Sequence, residues 1–116
     1  MHDDARALRV AEAIAFGEYE AGLDADEADV AWFVALPEAV QNFALVRSVR
    51  MQAVGSKVLA GVELSDREDL AWDKTPGEVR AVISTMIETP GAIRDPLALL
   101  KQLAAQRTKK PKGPPS

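Results

Sequence analysis

Four carboxylates lie within six residues of this chain, and they are candidate ligands for a metal ion. They are Asp24, Asp26, Glu27 and Asp29. A calcium-binding loop also needs a central glycine and a distal glutamate, and this segment has neither. Acidic residues are common where a helix begins, because its N-terminal end carries a partial positive charge. The pattern therefore predicts a helix start rather than a metal site, and no cofactor is expected.

The side chains that most often perform catalysis are scarce. The sequence has no cysteine, and its one histidine, His2, lies at the N-terminus. A thiolate nucleophile is thus excluded, and a histidine general base is not expected. Residues 53–57 share a glycine, a serine and a lysine with phosphate-binding loops, but they lack the earlier glycine and fall within a helical pattern. We predict a protein that is not an enzyme and has no catalytic residues.

Charge is distributed unevenly along the 116 residues. The first 36 carry nine acidic and two basic side chains, whereas the last ten carry four basic side chains and no acidic one. An acidic surface attracts a basic partner, although it also simply keeps a protein soluble. The composition predicts one domain over residues 1–106 and a disordered tail, rich in lysine and proline, over residues 107–116. The lack of cysteine and of a signal peptide favours a cytoplasmic location and gives no reason to expect membrane contact.

The segments that would position these charged side chains show mostly the apolar periodicity of helices. Ala7, Val10, Ala11 and Ile14 form one apolar stripe, and a helix that we expect to be the longest covers about residues 38–60. Ser65 and Thr75 each begin a capping-box pattern, and Asp24 is the expected cap of the second helix. Unequal helices interrupted by prolines indicate an all-α fold, an irregular orthogonal bundle of five to six helices with a flexible C-terminal tail.

Residues 30–36 are apolar on every side of the predicted helix. Such a helix lies either at the centre of its domain or against another molecule. If it faces a partner, Trp32 and Phe33 are the expected anchors, and Asp26, Glu27 and Asp29 would attract a basic surface. This pattern and the missing catalytic groups favour a protein–protein interaction protein: an adaptor, inhibitor or assembly factor of bacterial or phage type. Its partner would be another protein or a second copy of the chain.

Residues 65–88 contain a short capped helix, a turn and a longer amphipathic helix. Residues 69–71 and 75–80 resemble the DNA-reading half of bacterial winged-helix regulators, which implies a helix-turn-helix. In that alternative Arg80, Ser84 and Thr85 face a groove of the duplex, and Lys109, Lys110 and Lys112 form an arm along the phosphates. Two capped helices meeting at a corner also occur in many helical domains with no nucleic-acid role.

Overall fold

The computed structural model describes residues 2–17 and 25–109, and these residues form seven helices and no strand. The chain is therefore all-α over its described part. The helices, in chain order, are α1 (His2–Ala15), α2 (Glu27–Val34), α3 (Glu38–Arg47), α4 (Val49–Ala60), α5 (Asp66–Lys74), α6 (Gly77–Glu88) and α7 (Pro96–Lys109).

The count of seven exceeds the five to six predicted, because the expected helix over residues 38–60 is two helices. The break lies at Ser48, whose backbone is extended, with φ −66° and ψ 121°. The Ser48 side chain is buried and accepts a hydrogen bond from the Met51 amide, so it caps α4. The helical period over residues 38–60 predicts Ser48 on the side opposite the core, so the structure corrects this position as well as the helix count. Both differences have one cause, a buried serine that caps a new helix.

Two apolar clusters form the core. The larger joins the end of α1 to α3, α4, α5, α6 and α7, and Met51, Ile83 and Leu100 are fully buried within it. The smaller joins α1, α2 and α3 around Val10 and Phe33. Leu45 of α3 packs against both clusters, so α3 lies between them.

Several helix ends agree with the sequence pattern. The capping box at Ser65 is confirmed, because its hydroxyl accepts from the Glu68 amide and the Glu68 carboxylate accepts from the Ser65 amide. The Asp95 carboxylate accepts from the Ala98 amide and caps α7. Gly61 closes α4 with φ +72°, a conformation that favours glycine.

Other helix ends differ from expectation. Thr75 does not cap α6; its hydroxyl is buried and donates to the Ala71 carbonyl at 2.8 Å, which closes α5. Asp26, not Asp24, caps α2, while Asp24 lies outside the described residues. Helix α7 continues to Lys109, three residues beyond the domain boundary predicted at 106, and the rest of the predicted tail is not described.

None of the helices in the described part of the chain has the length and apolar content that crossing a bilayer requires.

Candidate functional site

The two aromatic residues of α2 have different surroundings. Phe33 is 5% exposed and belongs to the smaller core cluster, so it has almost no surface to offer a partner. Trp32 is half-buried against the same cluster, and the Arg6 guanidinium lies 4.2 Å from the centre of its ring. The exposed large apolar side chain of α2 is Val34, at 58%. Helix α2 therefore has one side in the core and another exposed to solvent, although residues 30–36 are all apolar.

Two of the acidic side chains at the start of α2, Asp26 and Asp29, form hydrogen bonds within the chain. The Asp29 carboxylate accepts from Arg6 Nε and Nη2 at 3.0 and 2.9 Å, and from Arg9 at 3.3 Å. The Asp26 carboxylate accepts from the Asp29 amide at 2.9 Å and completes a capping box. Of the three carboxylates predicted to attract a partner, Glu27 is exposed and has no part in that box.

Hydrogen bonding from Arg6 lowers the pKa of Asp29 below its usual value, and Arg9 and the Asp26 amide act in the same direction against partial burial. The carboxylate is therefore ionised at neutral pH and joins α2 to α1. Among the described residues, no group of three or more His, Cys, Asp or Glu side chains could hold a metal ion.

The most unusual exposed surface is the C-terminal end of α4. Residues 58–62, which are Val-Leu-Ala-Gly-Val, are all exposed, and none has a polar side chain. Within this α4-end patch, Val58 is 39%, Leu59 40% and Val62 52% exposed. Helical spacing from Met51 and Val54 predicts that Val58 is buried, and the structure shows that it is exposed.

The predicted nucleic-acid residues of α6 do not share one face. At about 100° per residue, Arg80 and Ser84 lie about 40° apart, but Arg80 and Thr85 lie about 140° apart. Thr85 lines an apolar groove between α6 and α7, together with Ile93 and Leu103. Arg80 is partly buried, and its Nε is buried with no hydrogen-bond partner in the described structure.

Arg107, the first residue of the predicted basic tail, contacts α3 and α6. Arg107 forms ion pairs with Glu38 of α3 and Glu78 of α6, and the Asn42 amide donates to Glu78 at 3.3 Å. The hydrogen bond to Glu38 raises the pKa of Arg107 further above its usual value, so the guanidinium stays charged. Lys109 is the last residue of α7, whereas Lys110 and Lys112 lie outside the described residues.

A second apolar groove, of about 330 Å³, lies between the end of α1 and α5. It is lined by Ala15, Phe16 and Gly17 from the end of α1 and by Asp66, Arg67, Leu70 and Lys74 of α5. Leu70 is 57% exposed, whereas Phe16 is 4% exposed. The sequence pattern does not group these residues, because the two segments are about fifty positions apart.

Comparison with protein-family models, with curated proteins and with solved structures finds no match to this chain.

Proposed function

We propose that this protein acts by binding another protein, as an adaptor, inhibitor or assembly factor, and that the α4-end patch is its principal contact surface. The observation that carries the proposal is the run of five consecutive exposed residues without a polar side chain, residues 58–62. Single exposed apolar residues are ordinary in soluble proteins. A continuous exposed run is not, and it is typical of a surface that another molecule covers.

The backbone around the patch is fixed, which favours binding. Gly61 closes α4, and the Ser65 capping box begins α5 four residues later. Lys57 donates to the Glu68 carboxylate at 2.7 Å and joins the two helices immediately beside the patch. A surface held in this way loses little conformational entropy when a partner binds.

Helix α2 is a secondary candidate surface, with a smaller role than its sequence suggested. Trp32 and Val34 retain exposed area, and Glu27 and Asp26 supply negative charge beside them. Phe33 contributes by holding α2 in place, because it is buried in the smaller cluster. Charges at the edge of an interface act mainly on the association rate. We therefore assign Glu27 the role of steering a basic partner.

Affinity capture with matched variants tests the proposal. The full chain, Leu59→Asp and Val49→Asp are each immobilised and exposed to extract of the source cell. Val49 is the control because it is 75% exposed on the same helix but lies at its opposite end. A partner retained by the full chain and by Val49→Asp, but lost with Leu59→Asp, supports the patch. Equal retention of the partner by all three proteins would contradict the assignment of the α4-end patch as the contact surface.

Light scattering of the purified chain over a range of concentrations tests whether the partner is a second copy, because it measures self-association. If the chain forms a dimer that Leu59→Asp abolishes and Val49→Asp does not, the partner is a second copy.

Nucleic acid is the second candidate partner, and one observation favours it. The ion pair between Arg107 and Glu78 brings the start of the basic tail to the first turn of α6. Against this, Arg80 and Thr85 lie on different sides of that helix. Binding of duplex DNA should weaken steeply as salt increases, and it should weaken further when Lys109, Lys110 and Lys112 are replaced by glutamine. The absence of a complex at low salt excludes this function.

A further inference from the structure

We propose that a cavity between the two core clusters is a binding site for the short alkyl end of a small uncharged molecule. This inner cavity has a volume of about 90 Å³. Leu45, which packs against both clusters, forms part of its wall, together with Ala11 and Phe33 of the smaller cluster and Ala15 and Ala71 of the larger one. None of these residues belongs to the α4-end patch, so the site is separate from the contact surface proposed above.

Small side chains line the inner cavity where α1 and α5 meet. Ala11 and Ala15 are one helical turn apart on α1, and Ala71 lies on α5. All three alanines are buried, so the cavity is interior space rather than a dent in the surface. Side chains that line an empty space lack partner atoms on one side, and an apolar group placed there would restore those contacts.

The lining of the inner cavity offers little to water. Lys74 and Thr75 are the polar residues among those that line it. Thr75 is buried, and its hydroxyl already donates to the Ala71 carbonyl at 2.8 Å. A water molecule inside a protein needs about two to four polar partners, and an apolar cavity that lacks them stays dry. The chemistry of the lining therefore favours an apolar group.

The volume of the inner cavity limits the alkyl group to a short chain. A water molecule takes up about 30 Å³ in the liquid, and a methyl or methylene group is of similar size, so the cavity has room for about three carbon atoms. Lys74 is exposed and, with Ala15, also lines the groove between the end of α1 and α5. The cavity thus opens toward solvent beside Lys74, and the polar end of the ligand would lie there.

An NMR titration of the methyl-labelled full chain with two small alcohols tests this inference. The probe is 1-butanol, and the matched probe is 1,4-butanediol, which has the same length but carries a hydroxyl at the end that would enter the cavity. Butanol should shift the methyl resonances of Ala11, Ala15 and Ala71 in a saturable way. Butanediol should bind about tenfold more weakly, because its buried hydroxyl would find no hydrogen-bond partner.

Variants that fill the cavity separate this site from the rest of the core. Ala11→Val should weaken butanol binding about tenfold, because two fewer carbon atoms of the ligand can be buried. Ala13→Val is the matched control, since Ala13 is buried on the same helix but does not line the cavity. It should keep butanol binding and lower the thermal midpoint more than Ala11→Val does. Ala71→Val fills the cavity from α5 and serves as the second variant if Ala11→Val does not fold.

Three outcomes would overturn the inference. They are equal binding of butanol and butanediol, equal binding of butanol by Ala11→Val and the parent protein, and shifts that are absent or centred away from the three alanines. Nuclear Overhauser effects between water and the Ala11 or Ala71 methyl group would also overturn it, because they would show a hydrated cavity. Failure here leaves the α4-end patch untouched, because the capture experiment uses different residues.

Discussion

The Ser48 hydroxyl donates a hydrogen bond of 2.6 Å to the Glu12 carboxylate while it accepts one of 3.0 Å from the Met51 amide. This single oxygen connects α1 to the junction of α3 and α4. Ser48 is 0% exposed, so its hydroxyl makes both bonds away from solvent. The break between the two helices therefore depends on a long-range contact as well as on local capping.

Ser48→Ala should lower the free energy of unfolding by about 2 kcal/mol, because it removes a helix cap and deprives the part-buried Glu12 carboxylate of a donor. Urea denaturation of the variant and the parent protein measures the difference. Ser56→Ala is the matched control, since Ser56 is an exposed serine of α4, and it should change the stability by less than about 0.5 kcal/mol. Equal effects of the two substitutions would show that the Glu12 contact contributes nothing.

Gly55→Ala should destabilise the protein even though alanine is the better helix former. A Cβ at position 55 would lie 2.8 Å from Ile83 Cγ2 and 3.2 Å from Ile87 Cδ1. The Cγ2 is attached directly to a stiff β-branched carbon, so it cannot easily move away. Overpacking costs about 1–3 kcal/mol, and at a contact as short as 2.8 Å we expect that cost to exceed the gain of about 1 kcal/mol in helix propensity.

Gly77→Ala provides the comparison for this prediction. Nothing lies within 4 Å of the Cβ that alanine would add at position 77. The substitution should leave stability unchanged or raise it, as thermal unfolding of both variants will show. If Gly55→Ala also raises the melting temperature, the close approach of α4 to α6 is not a constraint.

Acid should weaken the attachment of α2 to α1. The pKa of Asp29 is lowered in the folded protein, chiefly by Arg6, so its stabilising effect is complete above the ordinary aspartate pKa of about 3.9. It is lost as the pH falls below that value and through the lower folded pKa. The pKa of Glu68 is lowered in the same way by its hydrogen bond from Lys57.

The free energy of unfolding of the parent protein should therefore fall between about pH 5 and pH 2. Asp29→Asn should reduce the size of that fall, because the variant has already lost the titrating group. Asp73→Asn, at an exposed position of α5, should reproduce the parent curve. Parallel curves for Asp29→Asn and the parent would mean that the Arg6 and Arg9 contacts do not affect stability.

Replacing Arg107 with alanine should loosen the last turn of α7. The variant loses the ion pairs to Glu38 and Glu78 that hold this turn against α3 and α6. Hydrogen exchange measured by mass spectrometry should become faster over residues 103–109 and remain unchanged in α4. Lys101→Ala, at an exposed position of the same helix, should leave exchange near the parent rate.

Local patterns predicted two of the helix ends well. Ser65 with Glu68, and Asp95 with Ala98, behave as their spacing implies, since every partner lies three residues away. The Ser48 cap escaped prediction although the Met51 amide is also three residues away, because Ser48 lies inside a continuous helical pattern over residues 38–60 and its second bond is to Glu12, 36 residues away. Thr75 matches the cap pattern, but its hydroxyl donates to the Ala71 carbonyl and closes α5 instead.

The candidate surfaces were harder to predict than the fold. Trp32 and Phe33 are both predicted anchors, yet Phe33 is buried in the smaller cluster, whereas Trp32 is half-buried at its edge with Arg6 over its ring. Val58 continues the apolar periodicity of α4 but is 39% exposed. The groove between the end of α1 and α5 is lined by both Phe16 and Leu70, and no spacing within either segment reveals that pairing.

The position of Leu45 affects how the molecule melts. Because this one side chain contacts both apolar clusters, neither can lose its packing without exposing part of the other. The two clusters are thermodynamically coupled through α3, and we expect them to disappear in a single cooperative transition. Calorimetry would register this as one endotherm whose van't Hoff and calorimetric enthalpies agree.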